Sequence, residues 1–554
     1  MNRNQHIADL APLLAGHGIR HVILCPGSRN APLIQLFTGD PSFRCHSIVD
    51  ERSAGYVSLG MARQLQQPVV VVTTSGTAVL NLAPAVAEAR FQHIPLIVFT
   101  ADRPRESIPQ FDNQVIDQTE PFIRNSKGFY QLPAEVSDET GLQDMLGRVE
   151  AMISEASAYP EGPVHFNVPL PEPLYEPLPA PLYRHSRSQQ MSISRESGAA
   201  DGERIPSGTR LLVLAGMAAY GSEISGLLDT LAEVLQVVVV AENITNLHSD
   251  RFIAHPELLL HAAGGEELKK LVPDRVVAFG GQLVSRSLRL FLKEHPPGEI
   301  RILDRNPAAG LRSLLQGAEK ADGSASLVGP VANGGPGPND YLESWKTIEQ
   351  RVLKDAGDYL ETAPFSNLAV MHRTLSSVPA GTVLHLGNSS IVRYSQLLPI
   401  RPDLRYFSNR GTSGIDGTVS AAVGAAMVSP DPHLLVVGDL AFVYDSNAMW
   451  NKDFPDNLKI VVVNDGGGGI FRLLDGPDRM PFFEEFSVTH HPVSLELLSR
   501  SFGRDYLGAN DLDAFGEKLE LLFRPGSDYT VLEADTSGSE NSLIFKSFLN
   551  HLHS

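Results

Sequence analysis

Residues 434–471, LLVVGDLAFVYDSNAMWNKDFPDNLKIVVVNDGGGGIF, are the stretch on which the fold assignment turns. An apolar run, residues 434–437, ends in Gly438-Asp439; an amphipathic segment follows, and a second apolar run, residues 460–463, ends in Asn464-Asp465 and four glycines. Strand, helix, strand is the pattern, with polar side chains at the carboxyl ends of both strands, the edge where open α/β sheets bind ligands. Asp439 and the Asn464-Asp465 pair, 25 and 26 residues further on, can meet there as oxygen ligands of a hard cation shared with substrate phosphates. The glycines allow the backbone to approach a diphosphate and offer it N–H donors. The same residues could be two strand-ending turns, with Asp439 capping the next helix. A strand before each element, a helix between them and a glycine run after the second favour the metal–diphosphate reading.

Upstream, a helix is expected over residues 4–17. The runs HVILCPG (21–27), HSIVD (46–50), PVVVVTTSGTA (68–78) and IPLIVFTADRP (94–104) read as strands separated by helical patterns. Short β-branched runs alternating with helices argue for a parallel sheet covered on both faces. Residues 169–208 are proline-rich, then polar, and read as an interdomain linker. A second α/β unit follows, with strands RLLVLAG, LQVVVVAE, RVVAFGG and RILDR; its GMAAYG lacks the spacing of a dinucleotide-binding glycine motif. A breaker-rich stretch, residues 321–340, marks a further boundary. In the third unit TVLHLGNSS is the first strand, and RYFSNRGTSGIDG is a loop opening a helix of small residues. The expectation is an α/β protein of three consecutive domains, 1–178, 205–320 and 341–554, with mostly parallel sheets covered by helices on both faces. Their similar sizes suggest a triplicated architecture.

Bulk properties narrow the class. A chain of 554 residues with net charge −19 is poorly suited to nucleic acid or an anionic membrane as its main partner. No apolar run approaches the roughly 18 residues of a membrane span. The start, MNRNQHIADLAPLL, reads as an amphipathic helix rather than a signal peptide, so a cytoplasmic enzyme is expected. Two cysteines, Cys25 and Cys45, indicate neither a disulfide framework nor a cysteine zinc site. The histidines show no HxH or HExxH spacing of a transition-metal site.

The residue 434–471 pattern resembles the cofactor motif of the pyruvate decarboxylase-like superfamily of thiamine-diphosphate enzymes. CPGSRNAPL (25–33), DERSAG (50–55), TSGTA (74–78), TADRP (100–104), DNQ (112–114), SNRGTSGIDG (408–417) and GGGGIF narrow the resemblance to one family. That family is MenD, the 2-succinyl-5-enolpyruvyl-6-hydroxy-3-cyclohexene-1-carboxylate synthases of menaquinone biosynthesis. The likeness runs along nearly the whole chain and is strongest in the first and third units. The superfamily usually has Asn-Asn where this chain has Asn464-Asp465. Counting back from Ile470-Phe471 puts Asp465 at the metal-ligand position and Gly467 at a carbonyl ligand; counting forward from Asp439 makes Asn464 almost as good a candidate.

The resemblance implies a decarboxylating carboligase, a transferase that uses thiamine diphosphate and Mg²⁺, with Mn²⁺ as an alternative ion. Its substrates would be 2-oxoglutarate and isochorismate. Glu51 is implied as the catalytic carboxyl group that hydrogen-bonds N1′ of the cofactor's aminopyrimidine. Thr77, Ser389, Gly411, Ser413, Ile415, Gly438, Asp439, Leu440 and Gly468 are implied as further cofactor contacts, Ile415 as the apolar prop for its bent shape. Asp439, Asn464, Asp465 and Gly467 are the implied metal set. Ser28, Arg29, Arg103, Asn113, Gln114, Arg286, Arg393, Arg410, Ile470 and Phe471 are implied at the substrates, with Ser389 beside them. Arginines suit multiply carboxylated substrates because guanidinium binds carboxylate bidentately. Glu51 and the metal residues lie in different units, and in this superfamily those units come from different subunits. A homodimer or homotetramer with its active site at the subunit interface is therefore implied. Other thiamine-diphosphate enzymes, such as an acetolactate synthase or a 2-oxoacid decarboxylase, are the first alternative, and a non-catalytic relative the second.

Overall fold

Runs of valine, leucine and isoleucine become the central strands, because side chains buried on both faces leave no room for polar alternation. The computed structural model describes residues 2–104, 113–183, 208–218, 220–235, 237–303, 306–322, 338–473, 476 and 479–553. Three sheets are present. The first is built from β1 (His21–Leu24), β2 (Arg44–Ser47), β3 (Val69–Thr73), β4 (Leu96–Asp102), β5 (Gly128–Gln131) and β6 (Val164–Pro169), in the order β2-β1-β3-β4-β6-β5. The second contains β7 (Leu211–Ala215), β8 (Val238–Ala241), β9 (Arg275–Phe279) and β10 (Glu299–Ile302), in the order β10-β9-β7-β8. The third contains β11 (Val383–Leu386), β12 (Arg405–Ser408), β13 (His433–Gly438), β14 (Leu458–Asn464), β15 (Asp505–Ala509) and β16 (Tyr529–Asp535), ordered β12-β11-β13-β14-β16-β15. Neighbouring strands run parallel, as in β1–β3, β7–β9 and β14–β16.

The first and third sheets share one strand order; the second has four strands in a different order. The architecture is thus a repeated outer pair with a distinct middle, not the triplication that domain size alone suggested. In both outer sheets the strand order reverses beside the first strand, at β1/β3 and at β11/β13. Ligands of open α/β sheets sit outside such switch points, at the carboxyl ends of the strands.

Two compact units divide the chain. One comprises Met1–Ile193, Asn409–His433 and Ala441–Leu458; the other comprises Ser194–Ser408, Leu434–Leu440 and Lys459–Ser554. In the first unit, helix Thr418–Met427 lies across helix Glu51–Leu65 at glycines. A Cβ on Gly60 would stand 2.0 Å from the Ala421 carbonyl oxygen, and one on Gly424 would stand 2.0 Å from that of Val57. In the second unit, one face of the middle sheet (Leu212, Leu214, Val238, Val240) shares a core with Leu384, Val436 and Val461 of the third sheet. The opposite face (Leu211, Val213, Val239) closes a smaller core with Leu228 and Leu311. Helix Pro338–Leu360 contributes Tyr341 and Trp345 to the shared core, and its Glu349 accepts the N–H groups of Ala254 and His255.

Local differences from the sequence reading have physical causes. β2 is Arg44–Ser47 rather than residues 46–50, because Asp50 leaves the strand to cap the next helix, accepting from Arg52 N and Ser53 N. The first helix is two, Gln5–Ala8 and Leu10–Gly16, separated at buried Asp9, whose carboxylate accepts the N–H groups of Leu182 and Tyr183. Leu170 and Leu174 are buried in the first sheet's core, so the early part of the expected linker is a strap on that core. Residues 184–207 of that linker, and 323–337 of the later one, lie outside the described residues. The loop expected before the small-residue helix contains strand β12. No helix among the described residues is long and apolar enough to cross a membrane.

Candidate active site

Glu51 opens a helix whose N-terminal turn is fixed by its two neighbours. Asp50 caps the helix and accepts Asn447 Nδ2 at 2.7 Å. Arg52 donates to the Tyr444 carbonyl at 2.9 Å and covers the Tyr444 ring. It also lies 3.8 Å from Asp445, which is fully buried and accepts both the N–H and the hydroxyl of Ser420. Burial pushes the Asp445 carboxyl up to about 7, against the opposing hydrogen bonds from Ser420 and the charge of Arg52. Glu51 itself is half-buried, with Asn81 Nδ2 at 3.5 Å. Its carboxylate lies close enough to the end of β1 to add to the burial that raises the Cys25 thiol.

At the switch point of the first sheet, the turns after β1 and β3 touch. A Cβ on Gly27 would fall 2.4 Å from Thr74 Cβ, so only glycine permits the approach. Ser28 projects to solvent on that turn. Arg29 is turned inward: its guanidinium donates to the Leu170 carbonyl at 3.0 Å and pairs with Glu172 at 3.2 Å. Arg103 donates to Ser75 Oγ at 3.0 Å and to the Gln114 carbonyl at 3.1 Å, while Ser75 Oγ donates to that same carbonyl. The structure therefore brings Arg103, Gln114 and the Ser75–Thr77 turn together, with Asn113 adjacent in sequence. Thr77 is exposed at the start of helix Thr77–Asn81.

Residues 410–417 form a braced loop. The carboxylate of Glu88 accepts Gly411 N–H at 2.7 Å and Thr412 N–H at 2.6 Å. Arg410 is buried, Ser413 is left-handed at φ 63°, and Ile415 is half-buried. Tyr56 donates to Asp416, and a Cβ on Gly417 would strike the Tyr56 ring at 2.1 Å.

In the second unit, β13 and β14 deliver the other group of residues. Gly438 ends β13 and Asp439, 2% exposed, begins the next helix with Leu440 behind it. Burial, then the charge of Asp465, pushes the Asp439 carboxyl up to about 8, against hydrogen bonds from the N–H groups of Leu440 and Gly467. Asp465 is itself raised by burial, while Asn367 Nδ2 (2.8 Å) and Gly469 N–H favour its charged form. Asn464 is engaged elsewhere: its amide donates to Glu533 at 2.7 Å and its side-chain carbonyl accepts Gly466 N–H at 3.0 Å. Gly466 and Gly467 have φ of 78° and 144°, which explains the glycine run. The Gly468 N–H donates to Val488, and Gly467 O accepts Gly469 N–H at 3.1 Å. Ile470 and Phe471 lie on the following 3₁₀ turn, Phe471 partly exposed.

This donor set fits a hard divalent cation. The charge of Asp465 disfavours ionisation of buried Asp439, and a hard divalent cation would supply positive charge that favours it. No group of three or more His, Cys, Asp or Glu side chains is placed to hold a metal among the described residues. A two-carboxylate site completed by backbone and diphosphate oxygens does not require one.

Also in the second unit, Ser389 is left-handed (φ 73°) and its carbonyl accepts Arg393. Arg286 begins helix Arg286–Glu294, whose entry is fixed by Glu242 accepting Val284 and Ser285 N–H, and by Glu257 accepting the Ser285 and Ser287 hydroxyls. Burial, then nearby Arg289 and Arg286, lower Arg393 from the usual guanidinium range, while Glu257 opposes them. Arg289, which the sequence reading did not name, joins Arg286 near Arg393, and its i+3 spacing from Arg286 was the only signal for it. The sequence reading also missed His491, whose Nε2 lies 3.1 Å from Asp439 Oδ2.

A family model described as "Thiamine pyrophosphate enzyme, N-terminal TPP binding domain" matches residues 6–120. Another, "Thiamine pyrophosphate enzyme, C-terminal TPP binding domain", matches residues 386–533. The chain is similar to the 2-succinyl-5-enolpyruvyl-6-hydroxy-3-cyclohexene-1-carboxylate synthase of Desulfotalea psychrophila, 37% identical over 94% of this chain and 96% of that protein. It is similar also to the synthases of that name from Flavobacterium johnsoniae (34% identity, 98% of each chain) and Bacteroides fragilis (30%, 99% of each).

Proposed function

The chain belongs to the 2-succinyl-5-enolpyruvyl-6-hydroxy-3-cyclohexene-1-carboxylate synthase family of thiamine-diphosphate enzymes, and we propose that it makes that product from 2-oxoglutarate and isochorismate, releasing CO₂. The observation that carries the proposal is buried Asp439 under the charge of half-buried Asp465 at the start of the glycine run, at the carboxyl edge of β13 and β14. Thiamine diphosphate, when bound, supplies the electron sink that lets a 2-oxoacid lose CO₂ and the remaining four-carbon unit add to the isochorismate ring.

The protein's part is to bind, orient and move protons. Asp439, Asp465 and the Gly467 carbonyl would hold Mg²⁺ or Mn²⁺. Asp465 is preferred to Asn464 because Asn464 already bonds Glu533 and Gly466. Gly438, Leu440 and Gly468 would frame the diphosphate, and Thr77, Ser389, Gly411, Ser413 and Ile415 would shape the rest of the cofactor site. Glu51 would hold the proton shared with the aminopyrimidine nitrogen. Arg103, Arg286, Arg393 and Arg410 would pair with substrate carboxylates, aided by Ser28, Asn113 and Gln114, with Ile470 and Phe471 as apolar walls. Arg29 joins them only by exchanging Glu172 for a substrate carboxylate. Residues 1–178 would carry the pyrimidine-binding role and residues 341–554 the diphosphate role, in a cytoplasmic homodimer or homotetramer whose neighbouring copies complete each site.

Steady-state assay with thiamine diphosphate and Mg²⁺ tests the proposal. Consumption of 2-oxoglutarate with isochorismate, yielding the succinylated cyclohexene, is the expected result. Strong turnover of pyruvate and indifference to isochorismate would overturn the substrate assignment.

A further inference from the structure

Residues 483–491 return the chain to the carboxyl edge of the third sheet. Phe483–Val488 makes one turn of π-helix, and Thr489, left-handed at φ 55°, redirects the two histidines that follow. The Val488 carbonyl accepts Gly468 N–H, and His490 Nδ1 lies 2.7 Å from the Gly466 carbonyl. His490 thus tethers this segment to the glycine run. His491 does something different. Val493 N–H donates to His491 Nδ1 at 3.3 Å, so that nitrogen is the acceptor and the proton of the neutral ring resides on Nε2. Nε2 lies 3.1 Å from Asp439 Oδ2, with only 12% of the His491 side chain and 2% of the Asp439 side chain exposed. The imidazole is held on one side by a backbone donor and presents its single N–H to the carboxylate on the other.

We infer that His491 is a positioning residue of the metal–diphosphate end, fixing the orientation of the Asp439 carboxylate by donating to Oδ2. The inference rests on the reading of Asp439 as a metal ligand. Carboxylates that bind metals are themselves hydrogen-bonded, and loss of such an outer partner typically costs about 10- to 100-fold in metal affinity. A histidine that only anchored the segment would act as His490 does, and its loss would leave the Asp439 carboxylate as well oriented as before.

Calorimetric titration of Mg²⁺ into the full-length protein with saturating thiamine diphosphate separates these roles. His491→Ala is expected to weaken Mg²⁺ binding by about 10- to 100-fold. His491→Gln, whose amide can still donate, should recover most of that loss. Binding by His491→Ala within about twofold of the parent, or equal losses in His491→Ala and His491→Gln, would overturn the inference. Should His491→Ala not fold, His491→Asn takes its place; its amide is too short to reach Oδ2, so it must show the same weakening. A parent that binds neither thiamine diphosphate nor Mg²⁺ would overturn the functional proposal and this inference together, whereas a binding parent with an indifferent His491→Ala removes the inference alone.

Discussion

Glu88 accepts the backbone N–H of Gly411 at 2.7 Å across more than 300 residues of sequence, and its second oxygen takes the Thr412 N–H at 2.6 Å. Glu88 is 1% exposed and Gly411 is buried, so the Gly411 N–H has little solvent to turn to if the carboxylate is lost. Glu88→Ala is expected to lower stability by about 3 kcal/mol, the scale for orphaned buried donors to a charged acceptor. Urea denaturation checks this. Glu88→Gln should lose less, since its carbonyl oxygen can still accept one of the N–H bonds.

The crossing of helices Glu51–Leu65 and Thr418–Met427 makes a steric prediction. Gly60 and Gly424 each face a backbone carbonyl oxygen of the other helix at 2.0 Å from where a Cβ would be. Backbone cannot yield as a flexible side chain does, so Gly60→Ala and Gly424→Ala must drive the helices apart. A loss of about 1–3 kcal/mol is expected for either, despite the better helix propensity of alanine. Equal or higher stability by thermal or urea unfolding would show that the crossing tolerates separation.

These contacts also mark the limit of what the sequence disclosed. The VVVV, LLVV and IVVV runs were legible as strands because both faces are buried and nothing polar interrupts them. β5, β12 and β15 escaped notice because they lie at sheet edges and are only partly buried. β6 and β16 were hidden for another reason. They carry His165, Asn167 and Glu533 inside the sheet, tolerated because Thr100, Asp102, Tyr506 and Asn464 bond them there. Asp439 and the Asn464-Asp465 pair were legible from strand ends and glycines. His491 was not, because it reaches Asp439 from 52 residues away through an irregular turn that no periodicity announces.

His165 gives the protein an acid-sensitive core. Thr100 Oγ1 donates to Asn167 and so accepts from His165 Nε2, while His165 Nδ1 is buried without a hydrogen-bond partner among the described residues. Burial pushes the ring down from 6.5 to about 3, so the unfolded chain binds this proton at a pH where the folded one does not. The stability attached to neutral His165 is complete above about pH 6.5 and is lost as pH falls from there toward the folded value. Between pH 6.5 and 5 the loss amounts to about 2 kcal/mol. Buried Asp445, raised to about 7, acts with the opposite sign, since the folded state keeps a proton that the unfolded state releases above about pH 4. The difference between the parent and His165→Phe cancels that term. The variant's urea midpoint should therefore rise relative to the parent's as pH falls from 6.5 to 5, and parallel profiles would refute the assignment.

Glu51 and Asp50 should separate chemistry from stability within one turn. Asp50 caps the helix and accepts Asn447, so Asp50→Ala is expected to lose about 1 kcal/mol or more by unfolding. Glu51 is half-buried, with a long 3.5 Å contact to Asn81 as its hydrogen bond, so Glu51→Gln removes little that holds the fold. If Glu51 handles the cofactor proton, Glu51→Gln should reduce kcat by about 10²- to 10⁴-fold while the melting temperature stays within about a degree or two. A variant with normal turnover would remove Glu51 from the mechanism.

Neighbouring Asn464 and Asp465 should behave as differently as their contacts do. Asn464→Ala breaks the bonds to Glu533 and Gly466 and leaves the Glu533 carboxylate, 8% exposed, with the Tyr506 hydroxyl as its hydrogen-bond partner among the described residues. Its main effect is expected on stability, by about 1–3 kcal/mol. Asp465 accepts from Asn367 and acts on Asp439 through its charge, the arrangement of a ligand pair. Asp465→Ala should therefore weaken Mg²⁺ binding in the presence of thiamine diphosphate by about 100-fold or more, because an oxygen donor is lost outright. Asp465→Asn keeps an oxygen donor and removes the repulsion with Asp439, so it should bind Mg²⁺ within about tenfold of the parent. Dialysis against a chelator should abolish turnover in parent and Asp465→Asn alike, and added Mg²⁺ or Mn²⁺ should restore it in both. Were Asn464→Ala to lose Mg²⁺ affinity while Asp465→Ala kept it, the ligand would be Asn464, and its bonds to Glu533 and Gly466 would have to open when the ion binds.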